Sequence, residues 1–187
     1  MAFYSEKELA GLGLAIYGAN VLISNKTSIY NPSKISIGSN VRIDDFCVLS
    51  AGESGIQIGN YVHIAVFCSL LGAGKITLSD FSGLSSHVSL YSSNDDYSGE
   101  YLTNPTVPRQ YTSVQHDDVY LGKHAIVGSG SVILPGVTLE DGVAIAALSL
   151  VTKPCASFGI YSGSRRIGER KRNLLDLEEQ LLTDELN

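Results

Sequence analysis

Four histidines (His63, His87, His116 and His124) and an acidic run, Asn94-Asp95-Asp96-Tyr97, are the residues of this 187-residue chain best suited to moving protons. Imidazole titrates near neutral pH, so a histidine held beside a carboxylate is a natural general base. His116 stands next to Asp117 and Asp118, and His63 immediately precedes the apolar Ile64. A second group is basic: Arg165, Arg166, Arg170 and Lys171 cluster late in the chain. The planar fork of arginine donors suits phosphate oxygens. Metal chemistry has no such starting point. Cys47, Cys68 and Cys155 lack ligand spacing, and the intervals 63–87 and 116–124 supply no close histidine pair for a zinc site.

What positions these groups is a six-residue repeat. Large apolar residues recur as Ile37, Ile43, Leu49; Ile58, Ile64, Leu70; Leu78, Leu84, Leu90; and, after a break, Leu121, Val127, Ile133, Leu139, Ile145 and Val151. Four residues after each comes a small or β-branched one, among them Thr27, Ser33, Val41, Cys47, Val62, Cys68, Ser82, Val88, Ser131 and Ser149. A period of six fits neither a helix face nor a hairpin strand. It predicts an all-β solenoid of short parallel strands, three per coil, each turning one large and one small side chain inward. Cys47 and Cys68 then stack as buried hydrophobes. His87 falls beside Phe67, and His124 beside Phe81 and Tyr61, on outer faces.

The chain reads as a single domain, 1–187. The pattern Ser5-x-x-Glu8 opens a short N-terminal helix at about 5–16. Coils run from about 20 to 155, interrupted by a loop at 91–118 that carries two prolines and several tyrosines. A loop this long inside a regular repeat points to function. Gly159–Ile167 reads as irregular and basic, and Leu174, Leu175, Leu177, Leu181 and Leu182 mark a C-terminal amphipathic helix within about 165–185, its apolar stripe expected against the solenoid or a second subunit. The net charge of −6 disfavours nucleic acid as a partner. No apolar run reaches membrane-spanning length, and the N-terminus lacks a signal-peptide pattern, so a cytoplasmic protein without membrane insertion is expected.

The runs Leu121-Gly-Lys-His-Ala-Ile-Val127-Gly-Ser-Gly-Ser-Val-Ile-Leu-Pro135-Gly-Val and Gly142-Val-Ala-Ile-Ala-Ala-Leu-Ser-Leu-Val-Thr152-Lys153 resemble the last coils of the hexapeptide-repeat acyltransferases. The closest resemblance is to galactoside, maltose and xenobiotic O-acetyltransferases and to N-acetyltransferases of nucleotide-linked amino sugars. It implies a left-handed parallel β-helix, a homotrimer with active sites between subunits, and acetyl-CoA as co-substrate lying beside the C-terminal coils. By position it implies that Ser129, Ala147 and Ser149 contact the pantetheine arm, Thr152 and Lys153 the nucleotide end, and Arg165 and Arg166 the CoA phosphates. The proline of the family's usual Ala-Gly-x-Pro-Ala-Arg is missing at Ser162–Ile167.

The O-acetyltransferases of this family carry a catalytic histidine in the interrupting loop. Here that position falls at or beside Asp95, and no histidine is present there. His63, His116 and His87 remain as candidates. Across the implied interface His63 faces the loop of the neighbouring subunit, where Asp95 or Asp96 can orient it. Asn94, Asp95, Asp96, Tyr97 and His87 are the expected acceptor contacts. The loss of the loop histidine tilts the expectation toward an amine acceptor, which needs less help than a hydroxyl. The expected function is acetyl transfer to the amine of a nucleotide-linked deoxyamino sugar in surface-polysaccharide (O-antigen) synthesis. The alternatives are O-acetylation of a sugar hydroxyl and, more distantly, a non-catalytic scaffold.

Overall fold

The computed structural model describes residues 2–185; Met1, Leu186 and Asn187 lie outside the described residues. It is a parallel β-solenoid of about 7 turns, with a short helix at its N-terminal end and a longer one at its C-terminal end. Three sheets form its walls. The first stacks Ile16–Tyr17, Ile35–Ile37, Ile56–Ile58, Ile76–Leu78, Val119–Leu121 and Thr138–Leu139. The second stacks Val21–Ile23, Val41–Ile43, His63–Ile64, Gly83–Leu84, Ile126–Val127 and Ala144–Ile145, then continues into a terminal hairpin, Gly159–Ser162 with Arg165–Glu169. The third stacks Ser28–Tyr30, Val48–Ala51, Ser69–Gly72, Ser89–Tyr91, Val132–Ile133 and Leu150–Val151.

The hexad is the register. Ile43, Ile64, Leu84, Val127 and Ile145 pair in sequence along the second sheet, and Leu49, Leu70, Leu90, Ile133 and Val151 along the third. All are buried, each worth about 1.5–3 kcal/mol of burial. The small positions form ladders too: Val48, Ser69, Ser89 and Val132 donate their N–H groups to the carbonyls of Cys68, Val88, Ser131 and Ser149. Cys47 and Cys68 therefore stack, and the neighbouring sulfur together with burial pushes the Cys68 thiol up. Ser33 departs from the pattern; it sits exposed in a 3-10 turn, Pro32–Lys34.

Sharp corners join the strands. Asn40, Tyr61, Phe81 and His124 occupy one corner with positive φ, and Phe46, Phe67 and His87 another. The left-handed conformation costs a non-glycine residue about 1–2 kcal/mol. Here it turns rings outward to stack coil on coil: Tyr61 on Phe81 at 4.6 Å, Phe81 on His124 at 5.0 Å, Phe46 on Phe67 at 5.0 Å, and Phe67 on His87 at 4.8 Å. Such pairs return about 0.5–1.5 kcal/mol each, a similar magnitude. Beside the first corner, side chains cap the previous coil. Ser39 N–H donates to Asn60 Oδ1 at 2.8 Å, and Asn60 N–H to Asp80 Oδ1 at 2.7 Å. The coils approach so closely there that a Cβ on Gly38 would lie 2.7 Å from the Gly59 carbonyl.

The helices differ from the sequence expectation in extent. The N-terminal one, α1 (Glu6–Gly11), carries the expected Ser5/Glu8 capping box but stops before 16, where Gly11 and the left-handed Gly13 break it. The C-terminal one, α2 (Asn173–Asp184), starts later than 165 because residues 159–169, expected to be irregular, form the antiparallel hairpin around left-handed Gly163. Most of its leucine stripe faces outward: Leu177 is 63% exposed, Leu175, Leu181 and Leu182 are also exposed, and Leu174 alone is partly buried. Polar groups hold it instead. Glu178 accepts from Lys123 Nζ at 2.8 Å and pairs with His124 Nε2 at 2.6 Å, and Tyr61 donates to Glu185.

Candidate active site

The outward row of the second sheet reads Arg42, His63, Gly83, Ile126, Ala144, one residue per coil. At Gly83 the row has no side chain. The gap opens a cleft of about 290 Å³ between His63 and Ile126, bordered at the adjoining corner by Ala65, Ser85, Ser86 and Ser129. His63 and Ser129, distant in sequence, meet in this cleft.

His63 is half-exposed, and its Nε2 lies 2.9 Å from Oδ2 of Asp44, a carboxylate in the same chain that is only 4% exposed. Arg42 Nε donates to the other oxygen of Asp44 at 2.7 Å. Burial raises the Asp44 pKa, but the hydrogen bonds and charges of Arg42 and His63 outweigh it and hold the carboxyl below its usual value. An ionised carboxylate only accepts, so His63 Nε2 carries the hydrogen, and in the neutral ring the lone pair is on Nδ1. This is the geometry of an oriented general base.

The other expected residues fall into two groups. Within the loop, Ser93–Asn94 pairs antiparallel with Gln115–His116, and His116 Nδ1 shares a 2.7 Å hydrogen bond with Ser93 Oγ. Asp95 and Tyr97 are exposed and lie off the cleft of their own chain. Asp96 is engaged by its own loop, accepting from Ser98 Oγ at 2.8 Å and Gly99 N–H at 2.9 Å, which lowers its pKa. His87 is exposed on the aromatic stack. Along the coils, Ser129 and Ala147 are exposed, with the Ser129 carbonyl accepting from Leu148 N–H at 2.8 Å.

Ser149, unlike Ser129 and Ala147, is buried. It belongs to the buried small ladder, its N–H donates to Ser131 Oγ, its carbonyl accepts from Val132, and its hydroxyl donates to the Ala146 carbonyl. Thr152 is exposed and its N–H donates to Ser164 Oγ at 3.0 Å; Lys153 is exposed beside it. Arg165 and Arg166 stand exposed on the terminal hairpin. Arg170 is structural: its guanidinium donates to the carbonyls of His124 at 2.7 Å and Gly142 at 3.1 Å. Among the described residues no group of three or more His, Cys, Asp or Glu is arranged to hold a metal ion, and no helix is long and apolar enough to cross a membrane.

Sequence reasoning missed Asp44, Arg42, Gly83 and Ser85. The hexad ruler carried a signal for the first two. It sets Arg42 under His63, and Asp44 two residues on at the corner.

No protein-family model matches the chain. The dTDP-4-amino-4,6-dideoxy-D-glucose acyltransferase of Escherichia coli is 51% identical over 180 residues, 95% of this chain and 94% of that protein. An N-acyltransferase from Bacillus cereus, solved in complex with dTDP and 3-hydroxybutyryl-CoA, is 44% identical with a TM-score of 0.95 over all of both chains. A serine-to-alanine variant of the same enzyme, solved with dTDP-4-amino-4,6-dideoxyglucose and coenzyme A, is 45% identical over 98% of each chain, with a TM-score of 0.94. Galactoside acetyltransferase, at 19% identity and a TM-score of 0.56, shares the fold. A repeat that builds this solenoid, a histidine held by a buried carboxylate beside a cleft on its wall, and half the residues shared along nearly the whole length lead to one conclusion: the chain belongs to the hexapeptide-repeat acyltransferases.

Proposed function

We propose that this enzyme transfers an acyl group from acyl-CoA to the amine of a nucleotide-linked 4-amino-4,6-dideoxy sugar. The observation that carries this reading is the 51% identity over 95% of the chain to an acyltransferase of a dTDP-linked sugar of that kind. The solved relative that holds dTDP and an acyl-CoA supports the same pair of substrates.

In this reading the CoA arm lies along the corner formed by Ser129 and Ala147, with Thr152 and Lys153 toward the nucleotide end and Arg165 and Arg166 at the phosphates. Ser149 supports that corner from within. Three copies assemble side by side, and the loop of a neighbour brings Asn94, Asp95 and Tyr97 to the open side of the cleft. Asp95 binds the sugar ammonium, which releases one proton to solvent; the neutral amine then attacks the thioester carbonyl, and His63 Nδ1 takes the second proton from its nitrogen. The Ser85 hydroxyl, at the edge of the cleft, donates to the tetrahedral oxyanion. A C–N bond forms and the C–S bond breaks, and the proton held on His63 passes to the departing sulfur, giving the amide and CoA–SH. Asp44 holds the ring throughout. His116, bound to Ser93, steadies the loop.

Release of free CoA, followed with a panel of acceptors, tests the proposal. We expect dTDP-4-amino-4,6-dideoxyglucose to exceed simple glycosides at least about a hundredfold in kcat/KM. A preference for hydroxyl acceptors overturns it.

A further inference from the structure

We propose that Gly83 sets the size of the acyl group this enzyme transfers, and that the gap it leaves seats a butyryl-sized chain. The inference rests on the acyl-transfer reading above and goes beyond it to the donor.

A glycine weakens a strand, so its presence in one calls for a reason. Backbone conformation is not the reason, because Gly83 is absent from the positive-φ glycines of the chain. Crowding by the protein is not the reason either. A Cβ at Gly83 would meet only the His63 carbonyl oxygen, at 3.8 Å, an ordinary contact. The glycines at the coil corners contrast with it: a Cβ on Gly38 or Gly128 would lie within 2.8 Å of the next coil's backbone. What Gly83 preserves is space outside the wall.

That space has a defined chemistry. The aliphatic side chain of Ile126, 46% exposed, stands on one side and the His63 imidazole on the other, with the methyl of Ala65 at the adjoining corner. The cleft, about 290 Å³ and open to solvent, continues past Gly83 along Ile126, where a chain longer than acetyl can lie. A thioester brought in beside Ser129 and attacked next to His63 lies over Gly83, and its chain extends along Ile126. One methylene in an apolar pocket changes specificity by about tenfold or more.

The test compares kcat/KM for acetyl-, butyryl- and hexanoyl-CoA with one amino-sugar acceptor. We expect the wild type to use butyryl-CoA at least as well as acetyl-CoA. We expect Gly83→Val, a residue that suits a strand, to lower the butyryl-to-acetyl ratio about tenfold or more, and Ile126→Ala to raise the hexanoyl-to-butyryl ratio. A wild type that uses acetyl-CoA alone overturns the inference, as does an unchanged butyryl-to-acetyl ratio in folded Gly83→Val. Should Gly83→Val fail to fold, Ile126→Ala decides, and an unchanged hexanoyl-to-butyryl ratio overturns the inference. No turnover of any acyl-CoA by the wild type overturns the acyl-transfer reading itself, and this inference with it.

Discussion

Asp44 is the residue on which the candidate site turns. It is buried, fully hydrogen-bonded by Arg42 and His63, and its carboxyl is held below the usual range. Asp44→Asn keeps the shape and removes the charge. We expect kcat/KM to fall by about 10²-fold, with a displaced pH–rate profile, because the imidazole loses the partner that fixes its tautomer. Stability should respond as well. A carboxyl whose pKa is lowered on folding stabilises the protein above its unfolded value of 3.8, and that contribution is lost as pH falls through the lowered folded value. Urea midpoints measured from pH 3 to 7 should therefore drop less steeply in Asp44→Asn than in the wild type. His63 was legible in the sequence because it sits beside an inward isoleucine at a coil corner. Its partner was not, because the family resemblance implies the loop aspartates, whereas the coil below supplies a carboxylate from the same chain. Composition reveals an acidic loop, but not that Asp96 is the carboxylate the loop uses to fold itself.

The helix α2 meets the solenoid through its charged face. Its leucine stripe predicted an apolar contact, yet Glu178 and Glu185 tie it to the solenoid. Periodicity marks which face is apolar; it does not say whether that face or the charged one meets the same chain. Burial raises the Glu178 pKa, and Lys123 and His124 together more than reverse this; Lys123 is raised in turn by Glu178. The clamp is therefore lost as pH falls through the lowered value of Glu178, below 4.5, and again as pH rises through the raised value of Lys123, above 10.5. Glu178→Gln should loosen it at neutral pH. Hydrogen exchange should report faster opening of residues 173–184 in the variant, with the strands unchanged; equal protection in both proteins would discount the clamp. The terminal hairpin was illegible because its second strand is exposed throughout and has no alternation to read.

The hexad made the solenoid legible, since such a fold repeats one packing solution coil after coil and a single period declares all of them. Assembly is a different matter, because side-by-side contact leaves no periodic trace. The proposed trimer makes a sharp prediction. If His63 of one subunit and Asp95 of the next serve one site, His63→Ala and Asp95→Ala proteins, each impaired alone, should recover part of the activity when unfolded and reassembled together. No recovery would confine the site to a single chain.

The terminal hairpin carries a consequence for solubility. A stack of parallel strands ends in unpaired backbone at both faces, an invitation for another molecule to continue it indefinitely. Here the last strand of the second sheet runs antiparallel and offers Arg165, Arg166 and Glu169 outward, while at the opposite end Phe3 bridges Ser24 in antiparallel sense. An incoming coil meets the wrong strand direction and a row of charge. End-to-end polymerisation into fibrils is thereby discouraged at those edges.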